Sequence, residues 1–373
     1  MAGKQQLDSE KLLELRSKID ACDSQIQRLI QERVLIASEI AKAKTAVDAS
    51  ASFYRPEREA QVLRRVRQRN EALRDEMGGL VGDDEMVHLM REIMSTSLAA
   101  EMPMTVAYLG PEGTYTQAAV IKHFGHAVKA ADVKTIADVF RIVEQGRAHF
   151  GVVPVENSTE GVITHTLDCF ATSKLKVCGE VHVPINHNLL SNAAGMPSIK
   201  KVYAHPQALA QCRGWLERYL GDAELITASS NAEAAIIAAK TTDAAAIASD
   251  IAAKLYNVKV LASGIEDERN NTTRFLIIGT DTYKESGEDK TTIMISTPNK
   301  VGSLFELLKP LYDAGVDMSR IESRPSRQTN WEYVFFIDLV GHVDRPEVAQ
   351  ALKELQEKSA FFKLIGSYPV GVL

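Results

Sequence analysis

The stretch Asn270-Asn271-Thr272-Thr273-Arg274-Phe275-Leu276-Ile277-Ile278-Gly279 sets an apolar, β-branched run behind two amides, two hydroxyls and an arginine. A run of this kind, closed by glycine, predicts a buried strand whose polar end meets a cleft. Read in isolation, the two asparagines make a turn, the threonines cap it and Arg274 pairs with a surface acid. The segments on either side give that polar end another meaning.

A chain of 373 residues is too long for one core and predicts two or three domains, which 45% hydrophobic residues are enough to fill. A net charge of -6 excludes a nucleic-acid footprint, so the basic residues read as local ligand hooks. Cys22, Cys169, Cys178 and Cys212 lie far apart, without the spacing of a zinc or redox motif, and read as reduced, buried thiols. Nothing resembles a signal peptide and no apolar run is long enough to cross a bilayer; a cytoplasmic protein without membrane contact is expected.

Upstream, Lys4 to Arg55 contains no Gly or Pro, while Leu12, Leu15, Ile19, Cys22, Ile26, Leu29, Ile30, Ile36 and Ile40 recur at helical spacing. One long helix is predicted from about Asp8 to Thr45, with Asp8 or Ser9 as its cap. A second opens at Pro56 and runs to Gly78-Gly79, and a third, capped by Asp83 and Asp84, extends to about Glu101. The first would be about 55 Å long, more than a small domain is wide, so two copies are expected to cover each other's apolar stripes. A plain coiled coil is the competing arrangement.

Arg33 and Lys44, eleven residues apart, point within about 20° of each other and interrupt the apolar stripe. A buried cation needs an anion. Arg16 lies about 25 Å further along and about 100° round, so it can join them only from a partner chain.

These residues carry a resemblance. Leu12-Leu13-Glu14-Leu15-Arg16, Gln31-Glu32-Arg33, Lys42-Ala43-Lys44 and Arg58-Glu59 are similar to the all-helical chorismate mutases. The resemblance implies that Arg16 of the neighbouring chain, Arg33 and Arg58 hold the carboxylates of chorismate, that Lys44 reaches the ether oxygen and Glu59 the ring hydroxyl, and that Ser97 lines the pocket. Two positions depart from the family pattern: Arg55 stands where an aspartate is usual, and Glu101 where a glutamine donates to the ether oxygen. Glu101 must therefore be protonated to act.

From Thr105 the texture changes to short apolar runs alternating with helical patterns, which predicts α/β architecture with parallel sheets. Strands are expected at Val106–Leu109, Phe150–Val155, Val177–Val183, Lys201–Ala204, Glu224–Thr227 and Ala244–Ile247. Helices are expected from about Tyr115, Ile136, Val162, Pro206, Ala232 and Asp250. The passage Val181 to Leu190 is expected to cross between two lobes. Polar loops fall where strands hand over to helices, the edge where open sheets bind anions.

The loops 110–116 (GPEGTYT), 152–161 (VVPVENSTEG), 185–190 (INHNLL), 203–212 (YAHPQALAQC) and 270–275 (NNTTRF) together resemble prephenate dehydratase over about Met104 to Thr280. The resemblance implies two lobes like those of periplasmic binding proteins, with the site in the cleft. It implies that Thr273 hydrogen-bonds the leaving hydroxyl, that Arg274 orients a carboxylate, and that Thr114, Asn157, Ser158 and Gln207 complete the lining, with Gln211 and Glu156 as further candidates. His187 and His205 read as core or hinge histidines.

After the charged link Asp281 to Lys290, strands at Thr291–Ser296, Met318–Ile321, Trp331–Val340 and Phe362–Ile365 and helices from Gly302-Ser303 and Pro346 give a βαββαβ order. Asn299-Lys300-Val301-Gly302-Ser303-Leu304 and Glu322-Ser323-Arg324-Pro325 resemble the phenylalanine-binding segments of ACT regulatory domains. A purely structural dimerisation module is the alternative.

The expectation is thus a multidomain chain: an all-α three-helix mutase unit (1–102), an α/β two-lobed dehydratase unit (104–280) and an α+β ACT unit (291–373). Chorismate and prephenate would be its substrates and phenylalanine its effector. No cofactor or metal is expected. The assembly would be a homodimer, with tetramers of paired dimers left open. The competing readings are a dehydratase with a vestigial mutase, and an amino-acid sensor without catalysis.

Overall fold

The computed structural model describes residues 2–47, 54–297, 300–325 and 333–373. Freedom from Gly and Pro after Gly3 lets α1 run unbroken from Ala2 to Val47, so the helix is already under way before Asp8 and Ser9, which therefore do not cap it. Cys22, expected to be buried, is exposed on this helix. Pro56 opens α2 (Pro56–Met77), and Gly78, at φ +63, ends it in the left-handed conformation that glycine adopts without strain. Gly82 rather than Asp83 or Asp84 caps α3 (Asp83–Glu101); its N–H is held by the Glu85 carboxylate at 3.0 Å.

The middle of the chain forms two lobes. The first contains β1 (Thr105–Leu109), α4 (Tyr115–Phe124), β2 (Lys129–Val133), α5 (Ile136–Glu144), β3 (Phe150–Asn157), β4 (Gly161–Val162), α6 (Thr164–Thr172) and β5 (Lys176–Pro184). The second contains β6 (Asn188–Leu190), β7 (Lys201–Ala204), α7 (Pro206–Gln211), α8 (Arg213–Tyr219), β8 (Glu224–Thr227), α9 (Asn231–Lys240), β9 (Ala244–Ala248), α10 (Asp250–Leu255) and β10 (Val260–Ala262). The chain then returns to the first lobe as β11 (Thr272–Gly279).

The crossing falls where expected, between β5 in one sheet and β6 in the other. The expectation of parallel sheets is corrected. β11 inserts antiparallel between β3 and β5, and β6 pairs antiparallel with both β9 and β10. A strand that re-enters a sheet from the other lobe is not bound to the parallel sense of a strand–helix–strand unit. Val162, expected to open a helix, lies in β4 instead.

The C-terminal unit contains β12 (Asp289–Thr297), α11 (Ser303–Asp313), β13 (Met318–Pro325), β14 (Tyr333–Val340), α12 (Pro346–Lys358) and β15 (Phe361–Pro369), with sheet order β13-β14-β12-β15. Arg345, not Asp344, occupies the N-cap of α12. Asn299 and Trp331 lie outside the described residues.

Alternation along β12 explains how this unit is held. Ile293 and Ile295 pack under α11 and α12, while Met294 between them joins Phe336, Ile365 and Tyr368 in the core of the first lobe, beside Val177 and Phe170. Both faces of β12 are therefore covered.

Candidate active sites

Thr273 and Asn157 are direct cross-strand partners on β11 and β3. Asn157 Nδ2 donates to Thr273 Oγ1 at 2.8 Å and to Asn271 Oδ1 at 2.7 Å, and its Oδ1 accepts from the N–H groups of Thr159 and Glu160. The loop thereby fixes which way the amide faces. Thr273 Oγ1 receives a hydrogen, and the Thr273 hydroxyl proton has no acceptor among the described residues. It remains available to a ligand.

Both side chains border a cavity of about 100 Å³ between the lobes. Its second-lobe wall comes from His205 and Gln207 at the start of α7 and Asn231 at the start of α9, while Tyr115 opens α4 on the near side. Helix N-termini present unpaired N–H groups and favour anions. None of the residues lining this cavity is Lys or Arg.

Gln211 extends the network. Its Oε1 lies 2.8 Å from His187 Nε2 and accepts from Asn271 Nδ2 at 3.3 Å, and its Nε2 donates to Glu160 at 3.0 Å. An amide oxygen only accepts, so His187 carries its proton on Nε2. Its Nδ1 is buried without a partner, and burial lowers the imidazole pKa, which keeps the ring neutral.

Three expected lining residues are placed elsewhere. Arg274 follows Thr273 on a strand whose successive side chains face opposite ways, and it is spent on Glu180, Asp338 and Tyr368 on the far side of the sheet. Thr114 is the N-cap of α4 and donates to the Leu109 carbonyl at 3.3 Å. Ser158 donates to Asn270 O and accepts from Thr272 N–H, tying the end of β3 to β11. Glu156 also faces away, paired with Arg320 at 2.9 Å.

The sequence reading passed over Tyr115, Asn231 and Asn271 as ligands and gave His187 and His205 structural roles. Tyr115, Asn271, His187 and His205 stand within or beside a loop already singled out, and Asn231 stands where β8 hands over to α9, so the usable signal was the loop edge rather than the residue.

On the helices, Arg33 donates to Ser97 Oγ. Ser97 and Glu101 sit one turn apart on α3, and Glu101 feels the charges of Lys44 and Arg33. Burial raises the Glu101 pKa against the pull of those two cations. Glu59 lies within electrostatic reach of Arg33 and forms an ion pair with buried Arg91. Arg33, Lys44, Glu59, Ser97 and Glu101 are therefore brought together.

Arg58 is exposed, and Arg55 is exposed and paired with Glu57 at 2.6 Å. Arg16 is exposed on the free part of α1, without an ion pair among the described residues. Arg91 went unnoticed, although it interrupts the Val87–Met94 stripe as Arg33 interrupts its own.

In the C-terminal unit, Pro325 pairs with Tyr333, which pairs on its other side with Thr297, so both expected effector segments lie toward one end of the sheet. Val301 is fully exposed, Leu304 is exposed, and Gly302, at φ +80, caps α11 ahead of Ser303. Glu322 and Arg324 are half-buried, whereas Ser323 and Pro325 are exposed.

Family models match three segments in order: chorismate mutase type II over residues 15–102, prephenate dehydratase over 106–283 and the ACT domain over 291–357. The bifunctional chorismate mutase/prephenate dehydratase of Neisseria gonorrhoeae is 47% identical over 367 residues, covering 98% of each chain. That of Stutzerimonas stutzeri is 46% identical over 370 residues, covering 98% of this chain and all of the relative. The crystal structure of prephenate dehydratase from Arthrobacter aurescens in complex with L-Phe is 34% identical, superposes with a TM-score of 0.67 and covers 71% of this chain and 90% of that one. The three family models in order along the chain, with 46% identity over nearly its whole length, place it in the bifunctional chorismate mutase/prephenate dehydratase family.

Proposed function

We propose that the chain rearranges chorismate to prephenate on its helices and converts prephenate to phenylpyruvate, carbon dioxide and water in its cleft, with phenylalanine as feedback inhibitor. The observation that carries the second step is the Asn157–Thr273 hydrogen bond facing the cavity. The carbon–carboxylate bond of the substrate breaks, its electron pair enters the ring, and the hydroxyl departs with one added proton. Thr273, its oxygen held by Asn157, donates toward that hydroxyl. Helix N-termini and amides, rather than Arg274, meet the substrate's two carboxylates.

The rearrangement is unimolecular and needs only a folded conformer and positive charge where the breaking C–O bond gains electron density. Arg33 and Lys44 supply that charge, and protonated Glu101 donates to the ether oxygen. Glu101 donates only while protonated, so mutase activity is expected to fall as pH rises through its raised pKa, and Glu101→Gln to flatten the profile. A wild-type rate that stays level from acid to mildly alkaline pH would remove Glu101 from this role.

The mutase, dehydratase and ACT units are assigned to 1–102, 104–280 and 291–373. Leu12, Leu15, Ile19, Ile26, Leu29, Ile36 and Ile40 are each about half exposed or more along α1, a stripe that a second copy would cover while bringing its Arg16 to the site. The assembly is therefore a homodimer at least, in a cytoplasmic setting. Chorismate offered to the purified chain should yield prephenate and then phenylpyruvate. Prephenate alone would mark a dead dehydratase, and no product a sensor.

A further inference from the structure

The Asn157–Thr273 pair faces the cavity, and the residues directly behind it face the C-terminal domain. In the same register, Glu156 is the cross-strand partner of Arg274. All the guanidinium nitrogens of Arg274 are engaged: Nε with Glu180 of β5 at 2.8 Å, one terminal nitrogen with Asp338 of β14 at 2.5 Å and the other with the Tyr368 hydroxyl of β15 at 3.0 Å. Thr292 of β12 locks the far side, donating to Asp338 at 2.6 Å. Glu156 pairs with Arg320 of β13, and Arg324, two turns of the pleat further on, reaches Asp168 and the Thr164 carbonyl on α6. Two adjacent cavity residues on two adjacent strands are thus each followed or preceded by a charge anchored in the C-terminal sheet.

We propose that Glu156 and Arg274 are positioning residues through which the C-terminal domain sets the spacing of the Asn157–Thr273 pair. The proposal rests on the dehydratase reading of the cavity and deepens it by naming the route of regulation. β13 carries both Arg320 and the Glu322–Pro325 segment. A ligand that shifts β13 along β14 pulls on Glu156 directly and on Arg274 through Asp338, the cross-strand partner of Arg320. Neighbouring side chains of one strand are rigidly coupled through the backbone, so displacement of either anchor tilts the hydroxyl that faces the substrate.

The Glu156–Arg320 pair is the place to test this, because Glu156 is partly exposed and glutamine at 156 still offers an oxygen to the largely buried Arg320 guanidinium. In the full-length chain, Glu156→Gln and Arg320→Gln should each lower kcat for prephenate about tenfold with KM within about twofold, and weaken inhibition by phenylalanine about tenfold. Chorismate turnover on the helices serves as the reporter of intact folding. The swap of Glu156→Arg with Arg320→Glu should restore most of both losses, which a merely structural role for either residue would not predict. Single variants indistinguishable from wild type in kcat and in response to phenylalanine would overturn the proposal, as would losses that the swap leaves unrepaired. A wild-type chain that does not turn over prephenate overturns the dehydratase reading beneath it instead.

Discussion

Replacing Thr273 with valine should lower prephenate turnover by roughly two to four orders of magnitude, the range that a positioned proton donor contributes, while chorismate rearrangement stays unchanged. Valine keeps the volume and removes the hydroxyl. The lost hydrogen bond is made to a group that becomes a better acceptor only as it leaves, so the fall should appear in kcat with little change in KM. Asn157 Nδ2 keeps one partner, Asn271, and loses the other, a local cost of about 1–3 kcal/mol that the fold can absorb. Thr273→Ser restores a donor at the same atom and should recover most of the rate. With Thr273→Val the chain becomes a source of prephenate: given chorismate, it should accumulate the intermediate. Parallel loss of both reactions, or undiminished phenylpyruvate formation, would take Thr273 out of the chemistry.

The placement of Thr273 was legible because a buried strand with a polar end must turn that end toward something. The placement of Arg274 was legible in principle and misread in practice. Resemblance assigned the Thr-Arg pair to one ligand, whereas the two-residue period of a strand forbids adjacent side chains from sharing a face. What the sequence could not supply was the partner, because Glu180 and Asp338 lie 94 and 64 residues away and come together only when the C-terminal sheet docks.

A hint of that docking was present in β12 and β14, whose apolar runs are continuous rather than alternating, the mark of strands covered on both sides. β2 gave no such hint. It is an edge strand, largely exposed, and its residues Lys129-Ala130-Ala131-Asp132-Val133 carry no alternation to read. On the helices, periodicity sufficed to place Arg33 and Lys44 on one face, whereas Ser97 and Glu101 were reached only through the family resemblance. The contrast between Glu59 and Arg58 follows from the 100° step between neighbours on a helix, which turns Arg58 to solvent while Glu59 meets Arg91.

Arg274→Met should destabilise the joined dehydratase and C-terminal units by about 3–5 kcal/mol, the usual consequence of removing one partner from a buried ion pair, and lower their melting transition by on the order of 10 °C. Asp338, 2% exposed, would keep only the Thr292 hydroxyl, and Glu180, 1% exposed, would keep Lys290 at 2.8 Å. Methionine fills the space without charge, so Arg274→Met combined with Asp338→Leu should recover much of the loss, as apolar replacements of whole buried pairs commonly do. The pH dependence gives an independent check. Burial pushes the Glu180 carboxyl up, yet His182, Arg274 and Lys290 together hold it well below its ordinary value. A folded-state pKa lowered below the unfolded one means that the unfolded chain binds more protons between the two. The stabilisation is therefore complete above the unfolded carboxylate pKa of about 4.3 and is lost as pH falls below it. The gap in melting temperature between wild type and Arg274→Met should accordingly be widest near neutrality and close progressively below about pH 4. A gap that stays constant down to pH 3 would mean that Arg274 stabilises the junction by packing and hydrogen bonds to neutral groups rather than by its charge.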